Sequence, residues 1–361
     1  MNQLNVFGYV SGNLGYNVHL QGLIEGCISN GIDVRTCPDE QQIQKELSNQ
    51  IKNSIKKGFD PTAPSLRLSY GNEMHNFYGK KRIGMSVWET TRLPEDWVPE
   101  LNSLDEVWTV SKFCKKAFED SGINKDVKIV NEGVDTTIFN PYVSKPQMFD
   151  NHFKDKFVFL SIGKWEERKG FDILLKAFTD EFKPDEKVAL MIQGFNPFLK
   201  NFNPYEYVFN MNLGKHAEIT FLPPVASRYD VAKYYISSDC FVLPTKGEAW
   251  GLPITEALAC GRPVITTKWG GAMDYMSEKY GWLIDVEKME EPKSEIFAGY
   301  DKHIEGNEWA VPSQKHLQEL IRYAFENKEE CKKKGGTNSY NFIDENYTWE
   351  KSTEIIKELL K

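Results

Sequence analysis

The 361-residue sequence has no excess of basic residues. It carries 44 Lys and Arg against 52 Asp and Glu, a formal net charge of −8. Because polyanions are attracted by a positive field, this balance argues against nucleic acid as a partner and limits membrane association to a peripheral one. A short lysine-bearing stretch, Ile51 to Phe59, is interpreted as the solvated face of a helix.

Long apolar runs are also missing. The sequence opens with MNQLNVFGYV, which lacks the basic segment and apolar core of a signal peptide, and no run approaches the roughly 20 apolar residues that span a bilayer. We therefore expect a cytoplasmic location.

Paired cysteines and acidic metal motifs are absent from the sequence. The six cysteines form no CxxC pair, which predicts neither a disulfide framework nor a zinc site, and the chain has no DxD triplet. The sequence thus implies no metal and no resident cofactor. Cys240 and Cys260 lie in apolar surroundings and are predicted to be buried thiols.

What the sequence does contain is an alternation of strand and helix patterns, in two halves. Strand-like segments of the first half include LNVFGYV, SLRLSY, RIGMSVW, EVWTVS and VKIVNEG, and the pattern restarts with FVFLSIG after a polar passage from Phe139 to Lys156. Such alternation predicts parallel sheets covered by helices, hence an α/β fold with two doubly wound, Rossmann-like domains. We place them at residues 1–145 and 146–346, followed by an amphipathic helix at about 347–361.

The stretch PTKGEAWGLPITEALACGRPVITTKWGG, Pro244 to Gly271, carries two carboxylates in an apolar, glycine-punctuated run. It predicts a βαβ crossover with Glu248 in the loop after a strand and Glu256 in the first turn of a helix that begins near Pro253. Free N–H groups at that helix start would seat a phosphate, and the carboxylates on either side would suit hydroxyl groups. A nucleotide sugar meets both demands. The alternative is structural, since first-turn acids often only complement the helix dipole.

A second signal lies in SIGKWEERKGFDILL, after the first strand of the second half. Lys164 follows the terminal glycine of that strand and Lys169 precedes the glycine that opens the next helix. Both lysines would project from the carboxyl end of a strand, where they could neutralise a diphosphate. The alternative is an ordinary charged loop in which Glu166, Glu167 and Arg168 pair with their neighbours.

Three segments together resemble the retaining glycosyltransferases of family 4, within the glycosyl transferases group 1. GEAWGLPITEALACGRPVI resembles the E-x7-E segment of that family, SIGKWEERKGFDILLKAF resembles its G-R-x(n)-K-G-x-D segment, and VNEGVDTTIFNP resembles its P-x-G-V-D-x-x-x-F segment. The resemblance implies the GT-B fold: two facing Rossmann-like doubly wound domains with a deep interdomain cleft, the donor held mainly by the second domain, and the last helix packed back on the first.

The resemblance also implies roles for individual residues. Glu248 would contact the hydroxyls of the transferred sugar, Glu256 would hold the donor ribose, and Lys164 and Lys169 would neutralise the diphosphate. The main chain from Trp250 to Leu252 would meet the sugar and phosphates. The implied donor-binding positions besides Glu256 are Trp250, Gly251, Leu252, Val225 (facing the base), Gly15 (allowing close approach of the first domain) and Thr255.

The implied reaction is metal-independent hexosyl transfer, with retention, from a nucleoside-diphosphate sugar to an acceptor hydroxyl on a glycan, a lipid or a small molecule. Two departures concern side chains: Lys164 stands where the family has arginine, and Ala249 where it has glycine. The family's histidine near the reacting sugar has no clear match. Glu89, at the end of RIGMSVW, is our candidate for that place, ahead of His75 and His19.

Other functions fit the same sequence less well. A GT-B nucleotide-sugar epimerase or hydrolase would be expected to carry more catalytic histidines and carboxylates. A nicotinamide-dependent enzyme would have G-x-G-x-x-G, whereas Gly8, Gly12 and Gly15 are spaced by four and three residues. A non-catalytic nucleotide-sugar binder would keep Glu256 and the lysines without needing Glu248.

Overall fold

The structure is a computed structural model that describes residues 2–41, 46–196, 202–225, 227–292 and 304–361. The chain forms two compact units. The first comprises Met1–Asp135, Lys302–Asn307 and Glu345–Lys361, and the second comprises Thr136–Asp301 and Glu308–Asp344.

The chain enters the second unit about ten residues before the boundary that the sequence suggested at 145/146. The reason is local packing, because the segment after Asp135 is anchored to the second unit. Thr136 donates a hydrogen bond to Asp344, 2.7 Å, and the buried ring of Phe139 packs edge-on against Tyr235 with ring centres 5.9 Å apart.

The first unit is built on a parallel six-stranded sheet. Its strands are β1 (Gln3–Gly8), β2 (Asp33–Pro38), β3 (Ser65–Leu68), β4 (Arg82–Met85), β5 (Glu106–Thr109) and β6 (Lys128–Ile129), in the order β2-β1-β3-β4-β5-β6. The helices of its main body are α1 (Gly15–Ser29), α2 (Asn49–Lys56), α3 (Trp97–Asn102) and α4 (Lys112–Asp120).

Two details of the first unit bear on the sequence predictions. The lysine-bearing stretch forms α2, which buries Ile51 and is capped by the Ser48 hydroxyl, so the predicted solvated helix is confirmed. Strand β2 was not predicted from the sequence. It lies at the edge of the sheet and alternates buried residues with partly exposed polar ones such as Asp33 and Arg35, so it has no continuous apolar run.

The second unit repeats the plan. Its six-stranded parallel sheet has the order β12-β11-β10-β7-β8-β9, with strands β7 (Phe157–Lys164), β8 (Val188–Phe195), β9 (Glu218–Phe221), β10 (Cys240–Leu243), β11 (Val264–Thr267) and β12 (Gly281–Ile284). The helices of this unit are α5 (Gln147–His152), α6 (Phe171–Glu181), α7 (Pro204–Asn210), α8 (Arg228–Ile236), α9 (Leu252–Ala259), α10 (Gln314–Glu326), α11 (Lys328–Lys334) and α12 (Gly336–Asn346).

An antiparallel pair, β13 (Val286–Glu290) and β14 (Trp309–Pro312), was not predicted from the sequence. Both strands are short: β13, VEKME, is largely exposed and has no apolar run, and the apolar β14, WAVP, has only four residues. Both predicted doubly wound sheets are nevertheless present. Among the described residues, no helix combines the length and the apolar character needed to cross a membrane.

The final helix, α13 (Trp349–Leu359), packs on α1 within the first unit. The contact is close because α1 presents glycines to it. A Cβ on Gly22 would lie 2.0 Å from the Trp349 indole, and one on Gly26 would lie 2.4 Å from the Trp349 carbonyl oxygen. Only a residue without a side chain lets the helices approach this far.

We therefore expect Gly22→Ala to destabilise the first unit by about 1–3 kcal/mol, because the added methyl group must displace the Trp349 ring. Gly15→Ala is the matched control at the start of the same helix, where a Cβ would meet no atom within 4 Å. Thermal unfolding should show a lower Tm for Gly22→Ala alone, and equal Tm values for the two variants would contradict the packing described.

Candidate functional site

The order of the second sheet reverses between β7 and β10. From β7 the chain winds outward through β8 and β9, then returns and winds the other way from β10 through β11 to β12. Ligands of open parallel sheets bind at such a switch point, beyond the carboxyl ends of the two strands. The segments that leave β7 and β10 here are the two that the sequence analysis singled out.

A glycine brings these two segments together. Gly170 separates the β7 loop from α6 and has a φ of 67°, and a Cβ there would lie 2.1 Å from the Pro244 carbonyl oxygen, just after β10. The two loops are then joined by one main-chain and one side-chain hydrogen bond. The Lys246 N–H donates to the Arg168 carbonyl, 2.7 Å, and the Arg168 guanidinium donates to the Gly247 carbonyl, 2.5 Å.

Five charged side chains at this point form an alternating chain. Lys164 and Arg168 contact opposite oxygens of Glu166, at 2.9 and 2.6 Å. Glu248 in turn receives Lys169 at 2.6 Å and Arg168 at 3.4 Å. All except Lys164 are buried, and the Lys164 side chain is 27% exposed. Three cations face two carboxylates, so the cluster carries one net positive charge.

The cations determine the ionisation of both carboxylates. Burial by itself would raise the pKa of Glu248, but Lys169 and Arg168 outweigh it and hold that pKa below its ordinary value. Burial opposes ionisation of Glu166 too, and Arg168, Lys164 and Lys169 lower its pKa in the same way. Both carboxylates are therefore ionised at neutral pH.

The start of α9 offers fewer N–H groups to a phosphate than the sequence suggested. Pro253 has no N–H, and the N–H groups of Ile254 and Thr255 bind the Gly251 carbonyl at 2.9 and 3.3 Å. Among the described residues, no acceptor is found for the N–H groups of Gly251 and Leu252. The backbone at Gly251 has a φ of 100°, a conformation that favours glycine.

The placement of Glu256 corrects one prediction. Helix α9 begins at Leu252, so Glu256 is its fifth residue and lies in the second turn, whereas the sequence analysis put it in the first. Gly251 is the N-cap of the helix, so α9 starts one residue earlier than a start at Pro253 implied. The predicted donor residue Thr255 is fully buried, and its hydroxyl donates to the Leu252 carbonyl at 3.0 Å.

Glu256 is held through both of its oxygens. Oε1 accepts from the Arg228 guanidinium at 2.7 Å, and Oε2 accepts from the Tyr235 hydroxyl at 2.9 Å. Burial, together with the Glu256 charge, raises the pKa of Tyr235, so its hydroxyl stays protonated and donates. Val225, predicted to face the base, lies three residues before Arg228 and is partly exposed.

The main chain around Trp250 is fixed by an aromatic pair. The Trp250 side chain is buried, its ring centre lies 4.7 Å from that of Tyr275, and the Tyr275 hydroxyl donates to the Trp250 carbonyl at 2.8 Å. The indole thus packs in the interior, which is consistent with the expectation that the main chain of Trp250, and not its ring, meets a ligand.

The remaining predicted residues belong to the first unit. Gly15 is the first residue of α1 and is exposed, and Glu89 follows β4 in a half-buried position. His19 is buried, pairs with Glu132 at 3.0 Å and stacks on Trp349, an arrangement typical of a structural histidine. His75 is exposed.

The described residues contain no group of three or more His, Cys, Asp or Glu side chains that could hold a metal ion. All six cysteines are free thiols. Cys240 and Cys260 are fully buried, as predicted, and burial raises the pKa of both.

Comparison with known proteins relates this site to a family. Residues 144–296, which contain the whole charge cluster and α9, match the model of the glycosyl transferases group 1. This segment of the chain is similar to that family. The resemblance inferred from the sequence is thereby confirmed at the level of group 1.

Individual relatives are distant. The chain is 29% identical over 163 residues to the D-inositol 3-phosphate glycosyltransferase of Paenarthrobacter aurescens, which covers 44% of this chain and 39% of the relative. It is 23% identical over 301 residues to the uncharacterised glycosyltransferase MJ1069 of Methanocaldococcus jannaschii, covering 82% and 64%. The matches thus span about two fifths to two thirds of these relatives' length.

Solved structures share the fold over nearly the whole chain. Sucrose-phosphate synthase from Thermosynechococcus elongatus superposes with a TM-score of 0.70 at 16% identity, covering 99% of this chain and 98% of that one. HepE from Anabaena gives a TM-score of 0.68 at 15% identity, covering 100% and 99%. The predicted GT-B fold class is confirmed.

Four residues of this segment that shape the site were not identified from the sequence. For Arg168, pairing with its neighbours was considered only as the structural alternative, and its contacts with Glu248 and the Gly247 carbonyl on the other loop were not predicted. Arg228 lies three residues after Val225, which was assigned to the base, and this proximity was a usable signal. Tyr235 and Tyr275 had none, because nothing in a helix or loop sequence shows which distant carboxylate or carbonyl a tyrosine will meet.

The lowered pKa of Glu166 predicts a pH effect on stability. A carboxyl whose folded pKa is depressed contributes stability above its unfolded pKa, near 4.5, and loses it as the pH falls through the folded value. We expect the Tm of the wild type to fall steeply as the pH decreases below about 4.5. Glu166→Gln should have a lower Tm at neutral pH, but its Tm should depend less on pH in the acid range. Glu329→Gln, at a highly exposed position, should follow the wild-type curve. The same slope of Tm against pH in the acid range for Glu166→Gln and wild type would contradict this account.

Proposed function

We propose that this protein is a glycosyltransferase that moves a hexose from a nucleoside-diphosphate sugar to an acceptor hydroxyl with retention of configuration. The observation that carries the proposal is the buried Glu248, held ionised between Lys169 and Arg168 at the switch point of the second sheet. It lies within the segment that matches the glycosyl transferases group 1.

The proposed donor class is supported by structural relatives. HepE from Anabaena was solved with UDP and glucose and with UDP-glucose, and TarM of S. aureus with UDP. A curated relative from Mycolicibacterium smegmatis is named as GDP-mannose-dependent. These names support a nucleoside-diphosphate sugar as the donor, and the identity of its base is to be determined by experiment.

Lys164 and Lys169 would neutralise the leaving diphosphate. An ammonium group has three N–H donors, so Lys169 can keep its bond to Glu248 and still donate to a phosphate oxygen. Lys164 is the exposed member of the cluster. With the N–H groups of Gly251 and Leu252, the two lysines would stabilise charge that develops as the glycosidic bond breaks.

Glu248 would act as an acceptor of hydrogen bonds from the hydroxyls of the transferred sugar. Its lowered pKa leaves no proton to donate at neutral pH, so it is unsuited to general acid catalysis. We infer that the acceptor hydroxyl attacks from the face that the diphosphate leaves, and that a leaving-group oxygen receives its proton. Positioning and charge stabilisation then supply the rate enhancement.

The first unit would bind the acceptor, which we propose to be a glycan, a lipid-linked sugar or a small molecule. Glu89 remains our candidate for the family's histidine position, because it is half-buried just beyond β4.

A thermal-shift screen of UDP, GDP and ADP, followed by their hexose conjugates, tests the donor proposal. Stabilisation by one nucleotide series, and transfer that preserves the donor's anomeric configuration by NMR, would support it. Inversion of configuration would rule out retention, and binding without turnover with any acceptor would favour a nucleotide-sugar binder.

Glu248→Gln should lower kcat at least about tenfold while the affinity for the nucleoside diphosphate changes less than about threefold, because Glu248 is assigned to the sugar and not to the nucleotide. The amide is preferred to alanine because it keeps the size of the side chain and one acceptor oxygen beside Lys169 and Arg168. Glu329→Gln serves as the surface control. Unchanged turnover in Glu248→Gln would remove this residue from the reaction.

We further expect activity to survive dialysis against EDTA, because Lys164 and Lys169 are assigned the charge neutralisation that a divalent cation would otherwise provide. The measurement is the transfer rate before and after chelation. A loss that added magnesium or manganese restores would overturn metal independence.

A further inference from the structure

Arg228 is the first residue of α8 and contacts two elements of the second unit. Its guanidinium donates to Glu256 Oε1 at 2.7 Å, and its central carbon lies 4.9 Å from the centre of the Phe139 ring. The side chain is 25% exposed. Arg228, three residues after Val225, therefore joins the region assigned to the base to the E-x7-E segment and to the VNEGVDTTIFNP segment.

The surroundings of Arg228 are rigid. Phe139 and Tyr235 are both buried, and Phe139 packs edge-on against Tyr235 with ring centres 5.9 Å apart. The Tyr235 hydroxyl binds the second oxygen of Glu256. Because both carboxylate oxygens are bound and the guanidinium packs over the buried Phe139 ring, the Arg228–Glu256 pair is pre-organised before any ligand arrives.

Arg228 retains hydrogen-bonding capacity. A guanidinium has five N–H donors in one plane, and in the described part of the chain the Glu256 carboxylate is the one acceptor found for them. Its central carbon lies over the Phe139 ring, which is an apolar neighbour and takes up none of the N–H donors as a conventional acceptor. A partly exposed guanidinium with unused donors is suited to bind ligand oxygens.

The net charge of the Arg228–Glu256 pair indicates which kind of ligand oxygen it can bind. Arg228 and Glu256 neutralise each other, and the carboxylate would repel a phosphate group, whereas Lys164 and Lys169 lie in a cluster with net positive charge. A neutral pair that offers both donors and acceptors matches hydroxyl and carbonyl groups.

We propose that Arg228 positions Glu256 and binds the nucleoside part of the donor, through its ribose hydroxyls or the carbonyl oxygens of its base. This inference rests on the proposed function and assigns a further residue to it. It makes Arg228 a determinant of nucleoside affinity and not of diphosphate affinity.

The test compares wild type, Arg228→Met, Arg228→Lys and the control Lys233→Met by calorimetry. Lys233 is in the same helix and pairs with the exposed Asp230. The ligands are the nucleoside diphosphate that stabilises the wild type most, and inorganic diphosphate. We expect Arg228→Met to weaken nucleoside diphosphate binding about tenfold to a hundredfold. Binding of inorganic diphosphate should change less than about twofold, and Lys233→Met should match the wild type.

Steady-state kinetics provide a second test, because loss of a purely structural residue would not raise KM for the donor selectively. Arg228→Met should raise KM for the donor with little change in kcat, and Arg228→Lys should restore only part of the affinity because it lacks the planar fork. In the double variant with Glu256→Gln, the losses should be less than additive, since the two residues act as a pair.

The outcomes separate this inference from the proposed function. A wild type that binds no nucleoside diphosphate overturns both. A wild type that binds, with Arg228→Met binding equally well, overturns this inference alone. Equal losses for nucleoside diphosphate and inorganic diphosphate would assign Arg228 to the phosphates, and a loss of folding seen by circular dichroism in both Arg228 variants would assign it a structural role.

Discussion

The ion pair between Lys169 and Glu248 is the contact on which the candidate site depends. It joins the segment after β7 to the segment after β10, and so closes the switch point of the second sheet. A buried carboxylate is costly unless it is paired, and the free energy of this pair is gained only if both loops adopt their observed conformations. Gly170 and the Lys246–Arg168 main-chain bond make that approach possible.

Alternation of charge allows the site to be both buried and cationic. Glu166 separates Lys164 from Arg168, and Glu248 separates Arg168 from Lys169, so no two like charges are direct partners. Lys164, Arg168 and Lys169 thus bring positive charge to the switch point of the second sheet. A cluster without Glu166 would hold three cations around one carboxylate, and their mutual repulsion would oppose burial.

Much of this arrangement could be predicted. Lys164, Lys169 and Glu248 were assigned to carboxyl ends of parallel strands, and that placement alone brings them to one edge of a sheet. The errors have local causes. Helix α9 starts at Leu252, which moves Glu256 into the second turn, and β2 was missed because an edge strand with alternating polar residues has no apolar run. Arg168 and Tyr235 could not be assigned, because their partners lie 80 and 21 residues away in the sequence.

The sequence by itself determined the α/β alternation, the family segment and the residue types at the site, because those follow from hydrophobic periodicity and from motifs of fixed spacing. Only the tertiary structure decided the partners of each charge. Whether Glu248 is ionised, whether Glu256 is held through one oxygen or two, and whether Arg168 contacts a neighbour or the opposite loop depend on distances between segments. Electrostatic energies vary with those distances and with burial, which a linear sequence does not contain.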